Sequence, residues 1–532
     1  MRIVTKEEMR DIEKFALEKY HYNEKLIVEN VGKSGAEYLC EELLKNTYIN
    51  DILVLCGKGN NGSDGLAIAR HLTQYDKNVR AFVLFPKEDC QRELLEQLEM
   101  ARAFGVKVSW IHDFEQLVAF FSENQNSTLV IDAIFGTGVQ LPLSQFHYDV
   151  INFVNQNAEA IVSIDMPSGV EGNTGLIQGN AIDADVTLAV GLPKIGYYLG
   201  DGARLCGTVV TINAGLPKEL LVNGDKHLLN IDDVLEKVKK RDKFADKKVF
   251  GHTLVIGGSH GLTGALVMAS QSALRVGSGL VTGATWENQY NEFITRLIPE
   301  VMTGYIPMEQ KMWGRLLKEI NKYDAIVIGP GLGRSARSRN LVLEILNNFS
   351  GPLVMDADAI NVLSMKEDAK VFSLRNAPTV LTPHFGEFCR FTGVAYEELQ
   401  KNPVHHLKQC METIHCSIIL KGPCTYIGLS SGQIYFNYSP NDGMATGGVG
   451  DVLAGILGGL LGQDPSIKRN GSLFNAYEHF DKTVALSVII HSLAGKIAAE
   501  NLGVRPMIAT SIIDNLPLVF KEIDNRLEQI NA

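Results

Sequence analysis

The feature that most limits what this chain can fold into is a repeated alternation of short, nearly uninterrupted apolar runs with longer segments of helical periodicity. In the first half the runs cover 52–56, 79–85, 129–134, 161–164, 186–190 and 208–212. A strand with one wet face alternates polar and apolar residues, whereas these runs do not, so they read as parallel strands buried on both faces. Strands joined by helices imply right-handed βαβ units and open α/β sheets.

At 532 residues the chain exceeds what one hydrophobic core can organise. The alternation pauses between 221 and 248, at a polar turn (Asn223-Gly224-Asp225-Lys226) and a charged run over 237–248. Two domains are therefore expected, 1–222 and 223–532, with 231–240 as a short leading helix of the second. A new series of runs then covers 253–256, 280–284, 325–328, 353–355, 379–381, 417–420 and 425–428.

With 61 acidic against 50 basic residues the formal charge is −11, which argues against broad nucleic-acid binding. A phosphorylated small molecule stays open as ligand, because a loop of backbone N–H groups holds an anion without net positive charge. Eight scattered cysteines without a C-x-x-C pair point to reduced thiols. The first twenty residues are charged throughout, unlike a signal peptide, and Thr5 with Glu8 predicts a capping box. The longest apolar run, 452–462, falls short of the roughly 20 residues that span a bilayer. A cytoplasmic protein with small-molecule partners, no nucleic acid and no membrane is expected, as a homo-oligomer.

The densest chemical signal is Gly57-Lys58-Gly59-Asn60-Asn61-Gly62-Ser63-Asp64-Gly65, between the run 52–56 and a helical segment at 66–73. Ligands of open α/β sheets bind at such strand ends. The spacing is neither G-x-G-x-x-G nor a P-loop. Further strand ends carry Asp132, Gly136-Thr137-Gly138-Val139-Gln140-Leu141-Pro142, and Asp165-Met166-Pro167-Ser168-Gly169. An Asp at a strand end points to chemistry or coordination, because an unpaired buried carboxylate is costly. Asn61, Asp132, Asp165 and Ser168 offer hard oxygens that suit a monovalent or divalent cation.

The second half carries Thr446-Gly447-Gly448-Val449-Gly450-Asp451 ahead of an apolar helix. Glycines before a helix build an anion hole, and Asp451 beside one suits a base or a ligand of a substrate hydroxyl. Lys421-Gly422 ends another run, His384 follows Pro383 at a third, and Asp356 and Asp358 suit metal binding or, more simply, helix capping.

The segments 57–70, 132–138 and 165–169, with Leu192-Pro193-Lys194 and Glu29-Asn30, resemble the NAD(P)H-hydrate epimerase domain over about 1–220. The resemblance implies a Rossmann-like three-layer sandwich. It implies that Asn60, Asn61, Gly62, Ser63, Asp64, the segment Gly136 to Pro142 and Asp165 bind hydrated cofactor, and that Asn61, Asp132 and Ser168 ligate K+. Asp165 is the expected acid–base group, with Lys194 as its electrostatic partner. Ser63 stands where the family usually has glycine, and serine raises the cost of a positive φ.

The motif at 446–451 resembles the ribokinase-like superfamily. Together with 257–281, 329–334, 356–361, 381–388 and 420–425 it resembles NAD(P)H-hydrate dehydratase over 245–530. That resemblance implies that Ala265, Gly331, His384 and Asp451 contact hydrated NADH or NADPH. It further implies that Lys421, Gly422, Pro423, Cys424, Thr425 and Gly450 bind ADP or ATP with Mg2+, and that Asp451 is the base. The alternative is a vitamin or sugar kinase fused to a ligand-binding domain.

Overall fold

The computed structural model describes residues 1–531 apart from 46, 48, 112, 124–127, 140–141, 234, 236–237, 239–240, 242, 465 and 468–472. The chain divides into two compact units, Met1–Lys226 and His227–Ala532, against the 222/223 boundary expected.

The first unit is built on seven parallel strands: β1 (Asp51–Cys56), β2 (Asn78–Val83), β3 (Lys107–Trp110), β4 (Thr128–Ala133), β5 (Ala160–Ile164), β6 (Val186–Val190) and β7 (Thr208–Ile212). Their order is β3-β2-β1-β4-β5-β6-β7. Residues of one strand serve two cores in turn: Ile52, Val54 and Cys56 pack into one, Leu53 and Leu55 into the other. Helices cover both faces, which gives the three-layer Rossmann-like sandwich and explains why the strands read as continuous apolar runs. The order reverses between β1 and β4, and that reversal opens a crevice at the carboxyl ends of the strands.

The capping box forms as predicted: Glu8 N donates to Thr5 Oγ1 (3.1 Å) and Thr5 N to Glu8 Oε2 (2.8 Å), starting the helix Lys6–Lys19. The strand β3 was not among the predicted runs.

The second unit holds a ten-stranded sheet of β8 (Lys226–Leu228), β9 (His252–Ile256), β10 (Leu280–Trp286), β11 (Met302–Ile306), β12 (Ala325–Ile328), β13 (Leu353–Met355), β14 (Thr379–Leu381), β15 (Ser417–Leu420), β16 (Cys424–Gly428) and β17 (Ile434–Tyr438). The order β11-β10-β9-β12-β13-β14-β15-β16-β17-β8 repeats the reversal, here between β9 and β12. Pairing is parallel from β11 to β15, but β15–β16 and β16–β17 are antiparallel, so the run at 425–428 is a hairpin arm and not a βαβ strand. Of the leading helix expected over 231–240, Ile231–Asp233 form a single 3-10 turn, and much of the remainder lies outside the described residues.

The helix Ala476–Leu502, unlike 452–462, is long and apolar enough to cross a membrane by length and composition. It escaped notice because Asp481, Thr483, Ser487 and His491 break the run. In the structure 72% of its most apolar window is buried, and the helix packs against Val449–Gln463 and Ala509–Asn531. All eight cysteines are free, and burial raises the pKa of the Cys56, Cys410 and Cys424 thiols, which leaves them poor nucleophiles.

Candidate active sites

In the first unit the loops after β1, β4 and β5 meet. Gly57 N donates to Ala133 O (2.8 Å), and a Cβ at Gly57 would lie 1.8 Å from Ile134 O, so only glycine lets the two loops touch. The helix after β1 begins at Asn60, not at 66 as expected, so Asn60–Asp64 form its first turn. Gly59 caps it without a side-chain hydrogen bond, which leaves backbone N–H groups open toward the crevice. Ser63 is therefore helical, and its Oγ donates to Gly59 O (3.4 Å). The cost anticipated from a positive φ does not arise.

A cavity of about 660 Å³ opens here. Asn60, Asn61, Ser63, Asp64, Gly136, Thr137, Gly138, Asp165 and Lys194 line it. Gly62, Val139 and Pro142 are not in its wall, and Gln140 and Leu141 lie outside the described residues. A Cβ on Gly136 would stand 3.4 Å from both Asn61 Oδ1 and Asp165 Oδ2, so this glycine leaves room between those two groups.

Asp165 adopts a left-handed backbone (φ +63°). Lys194, buried, donates from Nζ to Asp165 Oδ1 and to Val190 O (3.0 Å), and the Tyr197 hydroxyl donates to the Asp165 carbonyl. Asp132 and Ser168 lie beneath the cavity, fully buried. The Asp132 carboxylate accepts from Ser163 Oγ (2.8 Å), Ser168 N (2.8 Å), Ser168 Oγ (2.5 Å) and Ile134 N (3.3 Å). Burial raises its pKa, and those four donors pull against the shift.

The sequence reading missed Arg10, Glu13, Phe85 and His147, all lining the cavity. Glu13 had a legible signal: it sits four residues after Met9 and three before Ala16, on the buried side of its helix. Its pKa is raised by burial and then by Asp165. Asp64 is raised well above the carboxylate range by burial, Asp165 and Glu13. The cavity thus gathers three carboxyl groups around one buried lysine, an arrangement able to hold and move protons.

In the second unit Asp451 lies in the first turn of the helix Val449–Gln463. The cap residue Gly448 has φ +95°, which favours glycine at the anion hole, and a Cβ there would also displace the end of the Met268 side chain, whose Cε stands 2.5 Å away. His491, buried on Leu473–Leu502, hydrogen-bonds Val449 O (3.1 Å) and steadies the same turn, a support the sequence did not reveal. Lys421 at the end of β15 donates from Nζ to Asp356 Oδ1 (2.9 Å) and reaches within 2.9 Å of where a Gly450 Cβ would be. Burial works against its charge, but Asp356, Glu387 and Asp451 outweigh it and raise its pKa. Burial, then the Asp356 charge, push Asp451 up to about 7 while Lys421 pulls the other way. Such a carboxyl exchanges protons near neutral pH.

Ala265, on the helix Thr263–Arg275 that packs against the Asp451 helix, has its Cβ 3.2 Å from where a Cβ of Gly331, in the loop after β12, would be. His384 caps the helix Phe385–Thr392: its Nδ1 accepts from Gly386 N (3.0 Å), and its ring is half-exposed beside Lys421. The capping expected of Asp356 and Asp358 does not occur. Ala357 is the cap residue, Asp356 answers Lys421 and Thr382, and Asp358 binds Gly333 N (2.9 Å) and Arg334 Nε (2.9 Å). Of the nucleotide segment, Gly422 and Pro423 are exposed, whereas the Cys424 side chain is buried in β16.

Two parallel α/β domains, each presenting acid–base groups and open helix N–H groups where its strand order reverses, define a two-site α/β enzyme. The family described as YjeF-related protein N-terminus matches 24–196, and the family described as NAD(P)H-hydrate dehydratase matches 253–518. The bifunctional NAD(P)H-hydrate repair enzyme Nnr of Moorella thermoacetica is 33% identical over 100% of this chain and 99% of that protein. Its namesakes in Thermofilum pendens (31%, 100% and 98%) and Escherichia coli (30%, 87% and 84%) are similar too. Among solved structures, the Bacillus subtilis ADP/ATP-dependent NAD(P)H-hydrate dehydratase co-crystallised with ATP and Mg2+ is 27% identical, covering 56% of this chain and 98% of that one, with a TM-score of 0.48. The chain belongs to the family of bifunctional NAD(P)H-hydrate repair enzymes.

Proposed function

We propose that the first domain interconverts the R and S epimers of hydrated NADH and NADPH, and that the second returns the S form to NAD(P)H at the expense of ADP or ATP. The observation that carries the reading is Asp451, with a pKa of about 7, beside the buried Lys421 and the Gly448–Gly450 anion hole.

In the second domain Asp451 takes the proton of the C6 hydroxyl while that oxygen attacks the terminal phosphorus of the nucleotide. Lys421 and the helix N–H groups steady the phosphate charge. Phosphate is a better leaving group than hydroxide. The ring nitrogen expels it from C6, and loss of a C5 proton restores the dihydronicotinamide. Mg2+ bound with the nucleotide would neutralise phosphate charge. Among the described residues no cluster of three or more His, Cys, Asp or Glu could hold it alone, which suits a metal carried by the nucleotide.

In the first domain Asp165 accepts the C6 hydroxyl proton as the C6–N1 bond opens to a C6 aldehyde and its electron pair passes to the nitrogen, which is conjugated with the carboxamide. The nitrogen then closes on the opposite face of the carbonyl and Asp165 returns the proton to the C6 oxygen, with Lys194 balancing the charge. K+ fits beside it: the Asn61 amide oxygen is buried without a hydrogen-bond partner among the described residues, and Asp132 and Ser168 add hard oxygens. Bound there, K+ would stabilise negative charge on the substrate oxygen. A cytoplasmic homo-oligomer suits such a repair enzyme.

The test is recovery of NADH absorbance from a mixture of both NADH-hydrate epimers with ADP or ATP and Mg2+. Wild type should recover all of it, Asp451→Asn none, and Asp165→Asn only the S fraction quickly. No recovery with either nucleotide would overturn the reading.

A further inference from the structure

Part of the first cavity lies away from Asp165 and is not used by the chemistry above. Phe85 follows β2, Phe135 follows β4, and His147 lies on the helix Gln145–Asn157. The Phe85 and His147 rings stack with centroids 4.7 Å apart, Phe135 meets His147 edge-on at 5.1 Å, and Lys58 Nζ sits 5.4 Å from the Phe85 centroid. All four residues line the cavity.

His147 is the informative member. It is 8% exposed, yet its Nε2 is buried without a hydrogen-bond partner among the described residues. Ser144 Oγ caps the helix by accepting from His147 N (3.5 Å) and lies 2.7 Å from His147 Nδ1. Nδ1 is thereby satisfied, and Nε2 is the ring nitrogen left for a ligand, a donor in the tautomer in which the Ser144 hydroxyl donates to Nδ1. Burial, then the Lys58 charge, lower the His147 pKa to about 4, so at neutral pH the ring is a neutral single donor. An aromatic core cluster would explain the two Phe rings but not an unmet ring nitrogen, which is costly unless something bonds to it.

The sheet sets the separation. In the order β2-β1-β4-β5, the strands that Phe85 and Asp165 follow stand three spacings apart, roughly 14 Å at about 4.8 Å per strand, and the Phe85 ring leans toward Phe135 after β4, with centroids 5.9 Å apart. An extended dinucleotide with its nicotinamide at Asp165 carries its other base and its phosphates across such a distance. We propose that Lys58, Phe85 and His147 form the subsite for the adenylate half of the hydrated cofactor. Phe85 offers a ring face to the adenine, His147 Nε2 donates to a base nitrogen, and Lys58 leaves the Phe85 ring to meet the pyrophosphate. The inference rests on the epimerase reading and adds to it a second anchor distant from the reacting carbon.

Epimerisation by the full chain is measured with NADH-hydrate and with the hydrate of reduced nicotinamide mononucleotide, which lacks the adenylate half. His147→Phe keeps the ring stack and removes the donor, and Lys58→Gln removes the charge. Each should raise KM for NADH-hydrate about tenfold with kcat unchanged, the loss of one good polar contact. KM for the mononucleotide should stay unchanged, and Lys58→Arg should restore the dinucleotide KM. Unchanged turnover of the mononucleotide hydrate by the same variants confirms that the first domain is folded, and Lys58→Gln alone decides the matter should His147→Phe fold poorly. An equal rise with both substrates, no rise with either, or a fall in kcat alone would overturn the subsite. Failure of the wild type to epimerise NADH-hydrate would overturn the epimerase reading itself.

Discussion

Lys194, 2% exposed, closes an ion pair with Asp165, whose backbone stands in the left-handed region at φ +63°. The lysine thereby holds a carboxylate at a strand end where the chain itself is strained, and both groups face the same cavity.

Charge and backbone can be separated at Asp165. Asparagine tolerates the left-handed conformation nearly as well as aspartate. Asp165→Asn should therefore fold normally and slow epimerisation by about 10²–10⁴-fold, the usual range for a positioned acid–base group. Lys194→Met should do more damage, because it leaves the Asp165 carboxylate half-buried without its cation, and a loss of about 3 kcal/mol is expected. Chromatographic separation of the epimers over time, with urea denaturation of both variants, checks the two outcomes.

The dehydratase should be governed by Asp451. Its pKa of about 7 means that the base is protonated in acid, so kcat/KM for dehydration should fall as pH drops below about 7 while protein concentration and nucleotide are held fixed. The sign for stability is opposite. A carboxyl whose folded pKa is raised binds its proton more tightly in the native state, so its contribution is fully present below about 4 and is lost as pH rises toward 7. Asp451→Asn should be inactive in dehydration yet at least as stable as wild type at pH 8. A lower melting temperature at that pH would contradict the assignment of buried charge.

Gly448→Ala should be severe. The φ of +95° alone costs about 1–2 kcal/mol for a residue with a Cβ, and Met268 stands 2.5 Å from where that atom would go. Dehydration should be lost while epimerisation persists, as two separate assays on one preparation would reveal.

Asn61→Ala should raise the K+ concentration needed for half-maximal epimerisation and leave dehydration unaltered. Titration with KCl against an inert organic cation at constant ionic strength distinguishes a specific site from screening. The same KCl requirement in wild type and variant would remove Asn61 from the ion's ligands.

The limits of the sequence reading follow from where side chains face. The strands found in advance, such as Ile52–Cys56 within β1 or the run ending β12, are buried on both sides and advertise themselves as continuous apolar runs. The strands β3 and β11 were missed because each lies at a sheet edge and exposes half or more of its residues, so KVSW and MTGYI look like ordinary surface sequence. Capping posed a similar problem: DADAIN contains the right residue types, but Ala357 takes the cap position, and the two aspartates turn toward Lys421 and Arg334 instead.

By itself the sequence determined the two α/β units, the strand ends that carry chemistry, and the motifs Asn60–Asp64, Asp165–Ser168 and Gly448–Asp451. These are local: residue type, spacing and a following helix suffice to announce them. Only the tertiary structure decided that Glu13 from the first helix stands among Asp64, Asp165 and Lys194, that Asp356 answers Lys421 near Asp451, and that His147 lines the cavity with Nε2 unpaired among the described residues. Such meetings join residues tens to hundreds of positions apart. What they do to a proton depends on burial and on the distance between charges, and neither is encoded in any one segment.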